Sequence, residues 1–528
     1  MVSVALRPRS PRTTSLSEVA ACAGAPTAPA PGPDIRVTGV TLDSRAVQPG
    51  DLYAALPGAR VHGAAFGADV LARGAAAVLT DAEGAELLAR AGVAVPAVVV
   101  PQPRAVLGSV AALVHGSPAE HLHMVGITGT NGKTTTAYLV DSAWRALGHV
   151  TGLVGTVETR VADERVKSVR TTPESPDLHA LLAVMRERGV DTCTMEVSSH
   201  ALELHRVDPV VYDVAAFTNL SQDHLDFHGT MERYYAAKAS LFTPQRARRG
   251  VVCVDDAWGR RLAAEATVPV VTVTSRPDVD ADWRVEPIAG SGGRFDLVAG
   301  SRRLPLRSAL PGDFNQLNTA VAALVLAASG VADDDIVRAV HAEPHVPGRM
   351  ERVLVEGDGA PLAVVDFAHT ADAVSAALGA LRRQTTGALI AVLGAGGDRD
   401  PGKRQAMGAA AATCADVVVV TDDNPRSEDP AAIRAEVLAG ARAVVAARTP
   451  SAAGTGTAAA DLREVGGRAA AIRAAVALAG PGDTVAVLGK GHETGQEVHG
   501  TVHPFDDRDE LRAALSERNR HHHKEPTV

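Results

Sequence analysis

The chain has 528 residues, too many for one hydrophobic core, and with 46% hydrophobic and 21% charged residues it reads as a globular protein of about three domains. A formal net charge of -9 and only 3% aromatic residues provide neither a basic field nor stacking platforms for nucleic acid, and no apolar run approaches the ~20 residues that cross a bilayer. Cys22, Cys193, Cys253 and Cys414 are far apart and form no C-x-x-C pair, so neither a disulfide framework nor a thiolate zinc site is indicated, which fits a reducing, cytoplasmic location.

Residues 1–34, rich in Pro, Ala and Ser, read as a disordered leader. From "VTGVTLDSRAVQPGDLYAAL" to "AVVVPQPRAVLGSVAALV", short apolar runs alternate with polar turns and Ala-rich helical stretches, a small α/β domain over 35–120 that ends in a linker at 115–123. "MVGIT" (Met124 to Thr128) is a buried-strand pattern. It runs into the glycine turn "GTNG" and then a helix with apolar Leu139, Val140, Ala143, Trp144 and Leu147 at helical spacing. Further strand-like runs, "TCTMEVSSH", "VAAFTNLSQDHLDFHG", "RGVVCVDD" and "VPVVTV", imply a mostly parallel sheet over 121–346, with ligands beyond the carboxyl ends of its strands. After "HAEPHVPGRME" the pattern restarts with "LAVVDFAHT", "ALIAVLGAGGDRD", "ADVVVVTDDNPR" and "TVAVLGKGHE", a Rossmann-like α/β domain over 347–516. "ARTPSAAGTGTAAADLREVGG" reads as a surface loop, and 517–528, with its histidine run, as a solvated tail. The fold class is α/β with three domains, the central one a P-loop-type ATPase domain.

The chemistry starts at "GTNGKTTT". Gly129 and Gly132 let the backbone approach phosphate oxygens, the helix start supplies N–H donors, Lys133 reaches the terminal phosphates, and Thr134 can ligate Mg²⁺. The spacing departs from the standard P-loop, because Ile127 stands where that pattern wants glycine and the upstream glycine is Gly126. Glu196 ends an apolar strand, where a carboxylate could meet the same metal. Asp223, His224, Asp226 and His228 crowd into six residues after another strand, and Lys238 follows in "YYAAK". Taken alone, Glu196 reads equally well as a surface residue and "DDNPR" as a turn, since Asp, Asn and Pro are turn formers, while a lone lysine such as Lys238 is more often a solvated helix residue than a catalytic one.

Together, "GTNGKTTT", "MEVSSH", "FTNLSQDHLDFHG", "YYAAK", "PGDFNQLNTAVAA", "PGRME", "DFAHTADA", "GAGGDRDPGKR", "DDNPR" and "GKGHE" resemble the Mur ligases in kind and order, from about residue 37 to 515. The resemblance implies peptidoglycan biosynthesis: ATP phosphorylates a substrate carboxylate, and the amine of an incoming amino acid attacks the acyl phosphate. It places Gly129, Thr130, Asn131, Gly132, Lys133, Thr134, Thr135, Asn318, Arg349, Asp366 and His369 at ATP, and Thr134, Glu196, His224 and Lys238 at Mg²⁺. Lys238 would be N-carboxylated, and Lys133, Lys238, His224 and Arg349 would carry catalysis. It places Leu42, Ser44, Ala59, Arg60, Val61, Thr171, Thr172, Ser198 and Arg206 at a UDP-N-acetylmuramoyl dipeptide, with Arg170 and Leu204 departing from a relative's Asn and Gln. Arg399, Asp423, Asn424, Pro425, Arg426, Gly489 and Glu493 would form the amino-acid pocket. There a guanidinium can grip the far carboxylate of diaminopimelate, while lysine would leave Arg426 unpaired. Partners are then these small molecules, with no nucleic acid and no membrane insertion, and the chain is read as a monomer. The competing readings are a folylpolyglutamate synthase-like ligase, which lacks "DNPR" and the "TLDSR" module, a lysine-adding muramyl ligase, and a nucleotide-driven switch.

Overall fold

The computed structural model describes residues 6–25, 35–341, 344, 346–355, 360–398, 400–447 and 460–522. Its three large sheets lie in turn along the chain. The first has four parallel strands, Gly39–Thr41, Asp51–Ala54, Ala77–Thr80 and Ala97–Val99, in that order. Apolar clusters cover both of its faces, one built on Leu52, Leu79, Val98, Leu107 and Val110 and the other on Tyr53, Val70, Val78 and Leu88.

The expectation of a disordered leader is corrected over residues 14–23. Thr14–Ser15 pairs with Arg36–Val37, and Leu16–Cys22 is a helix whose Leu16 and Val19 are fully buried in the first cluster. Ser15 and Glu18 form a reciprocal capping box at its start. Upstream, Arg7 grips both carboxylate oxygens of Asp51, and the backbone N–H groups of Arg9 and Ser10 donate to Glu187 of the next domain. The average composition of the segment hid this short amphipathic stretch, "LSEVAAC".

The central sheet has eleven strands. Seven of them are consecutive and parallel, Thr151–Val154, Thr192–Glu196, His123–Thr128, Val214–Phe217, Gly250–Cys253, Val270–Thr274 and Trp283–Pro287. Antiparallel strands extend it at each end. One border strand is Glu164–Lys167 and the other is Arg302–Arg307, where Arg302, Arg303, Pro305 and Arg307 are exposed and Leu304 and Leu306 are buried. Helices cover both faces, so the inner strands are buried on both sides rather than alternating between core and solvent.

The third sheet runs Glu351–Arg352, Leu362–Asp366, Thr484–Leu488, Leu389–Leu393, Val417–Val420, Asp461–Glu464, parallel except at the first pair. "DLRE", assigned to a surface loop from sequence, is its charged edge strand, paired to Val417–Val420. The tail boundary at 516 also moves: the helix Asp507–His522 buries Leu511 and Leu515 and continues past that point, while 523–528 lie outside the described residues.

Candidate active site

The strand His123–Thr128 is central in its sheet, and the glycine turn at its carboxyl end opens the helix Lys133–Ala146. Gly129 (φ +145°) and Gly132 (φ +87°) both need glycine, since an added Cβ would lie 2.0 Å from Thr218 Oγ1 and 2.6 Å from Asn318 Oδ1 respectively. Gly126, the misplaced glycine of the motif, has a different job: it lets the Tyr212 ring pack against the strand, 2.8 Å from where a Cβ would be. The loop "TNLS" braces the turn. Thr130 N–H donates to Asn219 O at 2.8 Å, Asn131 N–H to Asn219 Oδ1 at 2.9 Å, and Ser221 N–H to Thr130 Oγ1 at 3.0 Å.

Lys133 Nζ lies over the turn and donates to the carbonyls of Gly129 and Thr130 at 2.9 and 2.8 Å. Thr134 Oγ1 is 3.0 Å from both oxygens of Glu196, which also accepts from Thr156 N–H at 2.8 Å and Thr156 Oγ1 at 3.1 Å. Arg349, on the segment entering the third sheet, donates from Nη2 to Thr134 Oγ1 at 3.0 Å and stacks over Phe367 at 4.5 Å. Asp366 accepts from Met350 and Ala368 N–H at 2.7 and 2.9 Å; burial pushes its carboxyl up, and the Arg349 guanidinium opposes that. Burial holds His369 neutral, with its pKa down at about 4. These groups and Asn318 line one cleft of about 650 Å³ between the second and third sheets.

Lys238 is 1% exposed, donates to Gly129 O at 2.7 Å and sits 4.7 Å from the Tyr234 ring centroid. Burial, and then the neighbouring Lys133 ammonium, hold its amine well below the usual lysine range. His224 takes a left-handed conformation (φ +53°) beside Asp223, 3.4 Å away, and stands edge-on to His200. The hydroxyl of Thr134 and carboxylate of Glu196 are hard oxygen donors and fit a Mg²⁺ ion. His224 and an unmodified Lys238 offer no oxygen donor, so Lys238 would need an added carboxylate to serve a second such ion. Among the described residues no three His, Cys, Asp or Glu side chains converge as a metal cage, so a cation at Glu196 would complete its shell from phosphate oxygens and water.

The residues assigned to the dipeptide substrate fall into two sets. Thr171 and Ser198 line the nucleotide cleft, and Thr172 Oγ1 bonds to Glu196 O at 2.8 Å. Arg206 Nε lies 2.9 Å from Glu174, which also meets Arg104 at 3.2 Å and Arg170 at 3.7 Å. The departure at Arg170 is thereby an ion pair with Glu174. Leu42, Ser44 and the exposed loop Ala59, Arg60 and Val61 follow adjacent parallel strands of the first sheet and do not line the cleft.

A second hollow, about 210 Å³, is lined by Asp423, Asn424, Arg426, Gly489 and Glu493. Gly489 (φ +116°) admits Asp423, whose Oδ2 would lie 2.6 Å from a Cβ. Pro425 turns its carbonyl against Gly397, 2.0 Å from where a Cβ would be. Arg399 lies outside the described residues. Arg426 has partners within the chain, contrary to the expectation that lysine would leave it unpaired: Nη1 donates to Gly397 O at 2.6 Å and Nε is 3.4 Å from Glu497. The sequence reading also passed over Lys490, which is fully buried and places Nζ 3.0 Å from Glu493, 3.2 Å from Asn424 Oδ1 and 3.9 Å from Asp423. Its position inside "GKGHE" was the signal. Lys403, likewise missed, reaches from the third-sheet domain to within 4.0 Å of Asp223.

A phosphate-type glycine turn on a parallel sheet, roofed by a second α/β domain that sends an arginine onto it, defines a nucleotide-binding protein whose reaction centre is divided between two domains. The chain belongs to the Mur ligase family. The Mur ligase family catalytic domain matches residues 36–115, the Mur ligase middle domain 127–326, and the Mur ligase glutamate ligase domain 348–491. It is 55% identical over 490 residues to UDP-N-acetylmuramoyl-L-alanyl-D-glutamate–2,6-diaminopimelate ligase of Streptomyces coelicolor, covering 92% of this chain and 94% of that protein. It is 46% identical over 527 residues to UDP-N-acetylmuramyl-tripeptide synthetase of Leifsonia xyli, covering 97% and 98%. A solved UDP-N-acetylmuramoyl-L-alanyl-D-glutamate–2,6-diaminopimelate ligase matches with TM-score 0.61 at 30% identity, over 91% of this chain and 95% of that one.

Proposed function

We propose that the chain is an ATP-dependent ligase that joins 2,6-diaminopimelate, the meso isomer by default, to a glutamyl carboxylate of UDP-N-acetylmuramoyl-L-alanyl-D-glutamate. The observation that carries the two-domain chemistry is that Asp223, His224, Phe367 and His369 line both hollows, so a phosphorylated carboxylate and an incoming amine can meet there. The similarity to diaminopimelate ligases supports the choice of amino acid.

A carboxylate oxygen attacks the γ-phosphorus of ATP and ADP leaves, giving an acyl phosphate. The amine then attacks its carbonyl carbon, phosphate departs with the bonding pair, and the nitrogen loses a proton to solvent. Lys133 and the backbone N–H groups at the helix start would hold the phosphates, and Arg349 would draw charge from the transferred group. Thr134 and Glu196 would hold Mg²⁺, which when bound neutralises phosphate charge. On the dipeptide side, Thr171, Thr172, Ser198 and Arg206 would orient the carboxylate, while Leu42, Ser44 and Ala59 to Val61 would hold the uridine diphosphate end. Such a reaction belongs to cytoplasmic cell-wall synthesis. Among the described residues no helix is long and apolar enough to cross a membrane.

Phosphate release should require ATP, the UDP-sugar dipeptide and an amino acid together, and a panel of amino acids should single out diaminopimelate. Release without an acceptor amine would instead indicate a nucleotide-driven switch. Comparable kcat/KM with lysine would replace diaminopimelate while leaving the ligase assignment in place.

A further inference from the structure

The pocket loop at 423–426 is buttressed by the hairpin Gly495–Val498 and Thr501–Pro504. Four bonds pin the two together. Arg426 N–H donates to Glu497 O at 3.0 Å, His499 N–H to Arg426 O at 2.6 Å, Glu497 N–H to Asn424 Oδ1 at 3.0 Å, and Gln496 Nε2 to Asp423 O at 2.6 Å. The hairpin therefore fixes the Glu497 backbone beside Arg426, and its carboxylate lies 3.4 Å from the guanidinium Nε. The guanidinium side chain is 23% exposed and the carboxylate 39%, so the pair is partly wet, and Arg426 itself lines the hollow.

We propose that Glu497 is a specificity-determining residue: an internal carboxylate that occupies Arg426 and competes with the far carboxylate of the incoming amino acid. The inference rests on the diaminopimelate reading of this pocket. A substrate that carries a far carboxylate must displace Glu497, so part of what it gains from Arg426 only replaces an ion pair already made. A substrate without one leaves that pair standing, so no buried charge is stranded. Glu497 thus weakens diaminopimelate binding and cushions lysine, both of which lower selectivity. A half-exposed ion pair is worth at most about 1 kcal/mol, which limits the effect to roughly fivefold.

The test is the ratio of kcat/KM for diaminopimelate to that for lysine, in the wild-type chain, Glu497→Gln, Glu497→Ala, Arg426→Ala and the Arg426→Ala/Glu497→Gln double variant. Both Glu497 replacements keep the backbone bonds of the hairpin, and their heat-unfolding midpoints check that the fold is retained. The ratio should rise roughly three- to fivefold in both single Glu497 variants and should not move when Glu497→Gln is added to Arg426→Ala. A ratio that is unmoved or lower in the single variants overturns the proposal, because Glu497 would then hold Arg426 in place for the substrate instead of competing with it. A rise that persists without Arg426 also overturns it. A wild-type chain that ligates no diaminopimelate sinks the underlying reading and this inference together, whereas a competent wild type with an unmoved ratio sinks the inference alone.

Discussion

Arg349 and Thr134, 215 positions apart in the chain, are joined by a single hydrogen bond of 3.0 Å from the guanidinium to the hydroxyl. That bond ties the entrance of the third-sheet domain to the phosphate turn, so closure of the two domains and positioning of the nucleotide share one contact. Replacing Arg349 with Ala should lower kcat by ~10²–10³, the cost of one charge-stabilising donor. Arg349→Lys should recover only part of it, because an ammonium cannot both stack on Phe367 and fork toward phosphate. ADP release measured alongside the unfolding midpoint checks this, and normal turnover in Arg349→Ala would remove the residue from the mechanism.

The buried amine of Lys238 bears on its proposed carboxylation. Carbon dioxide adds only to a neutral amine, and burial favours the neutral form here. Activity should fall in buffer stripped of carbon dioxide and return with bicarbonate, and enzyme in ¹³C-bicarbonate should show a carbamate carbon resonance that Lys238→Ala lacks. Identical spectra from the two proteins would exclude the modification.

Lys490 lies between two carboxylates and an amide, and by pairing with Glu493 and Asn424 it holds the pocket loop in register. Lys490→Met takes away the ammonium that contacts Glu493, Asn424 and Asp423. The KM for diaminopimelate should then rise ~10–100-fold, with the KM for ATP within about twofold of wild type. An equal loss for both substrates would mean a general folding defect.

His179 is 1% exposed, and burial lowers its pKa from 6.5 to about 4, with Nε2 hydrogen-bonded to Asp208 O at 3.0 Å. The unfolded chain binds the proton first, so stability declines as pH drops from 6.5 toward 4 and is fully present above 6.5. This one group contributes a loss of about 3 kcal/mol at the acid end. Unfolding midpoints at pH 7.5 and pH 5 should differ less in His179→Leu than in the wild type.

The helix Leu16–Cys22 is part of the first domain's core, with Leu16 at 0% exposure. Leu16→Ala should cost ~2–5 kcal/mol of that domain's stability. Denaturant unfolding that matches wild type would return the segment to the status of a leader.

Much of this architecture could be read from the chain because strand and helix alternate with strong apolar runs and most of the polar motifs fall at strand ends. "MVGIT" followed by a glycine turn needs only local chemistry to interpret. What escaped reading was set by distance in the chain. Nothing near Thr156 marks it as a partner of Glu196, 40 residues away, and nothing near Arg426 announces Glu497. Lys490 is similar: a lysine between two glycines reads as solvated until the fold buries it. The Leu16–Cys22 helix failed for the opposite reason, because a strong local signal was averaged away by its Pro-rich surroundings.

A sheet of eleven strands has two open borders, and each is a template onto which a foreign strand could zip. Here the template is spoiled on both sides. Glu164 and Arg165 put exposed charge on one border, and "RRLPLR" on the other carries three exposed arginines and a proline that has no N–H to offer. Growth of the sheet from chain to chain is thus discouraged by charge and by a missing donor. A broad, seven-strand parallel platform could be assembled beneath the reaction centre without becoming a seed for fibrils.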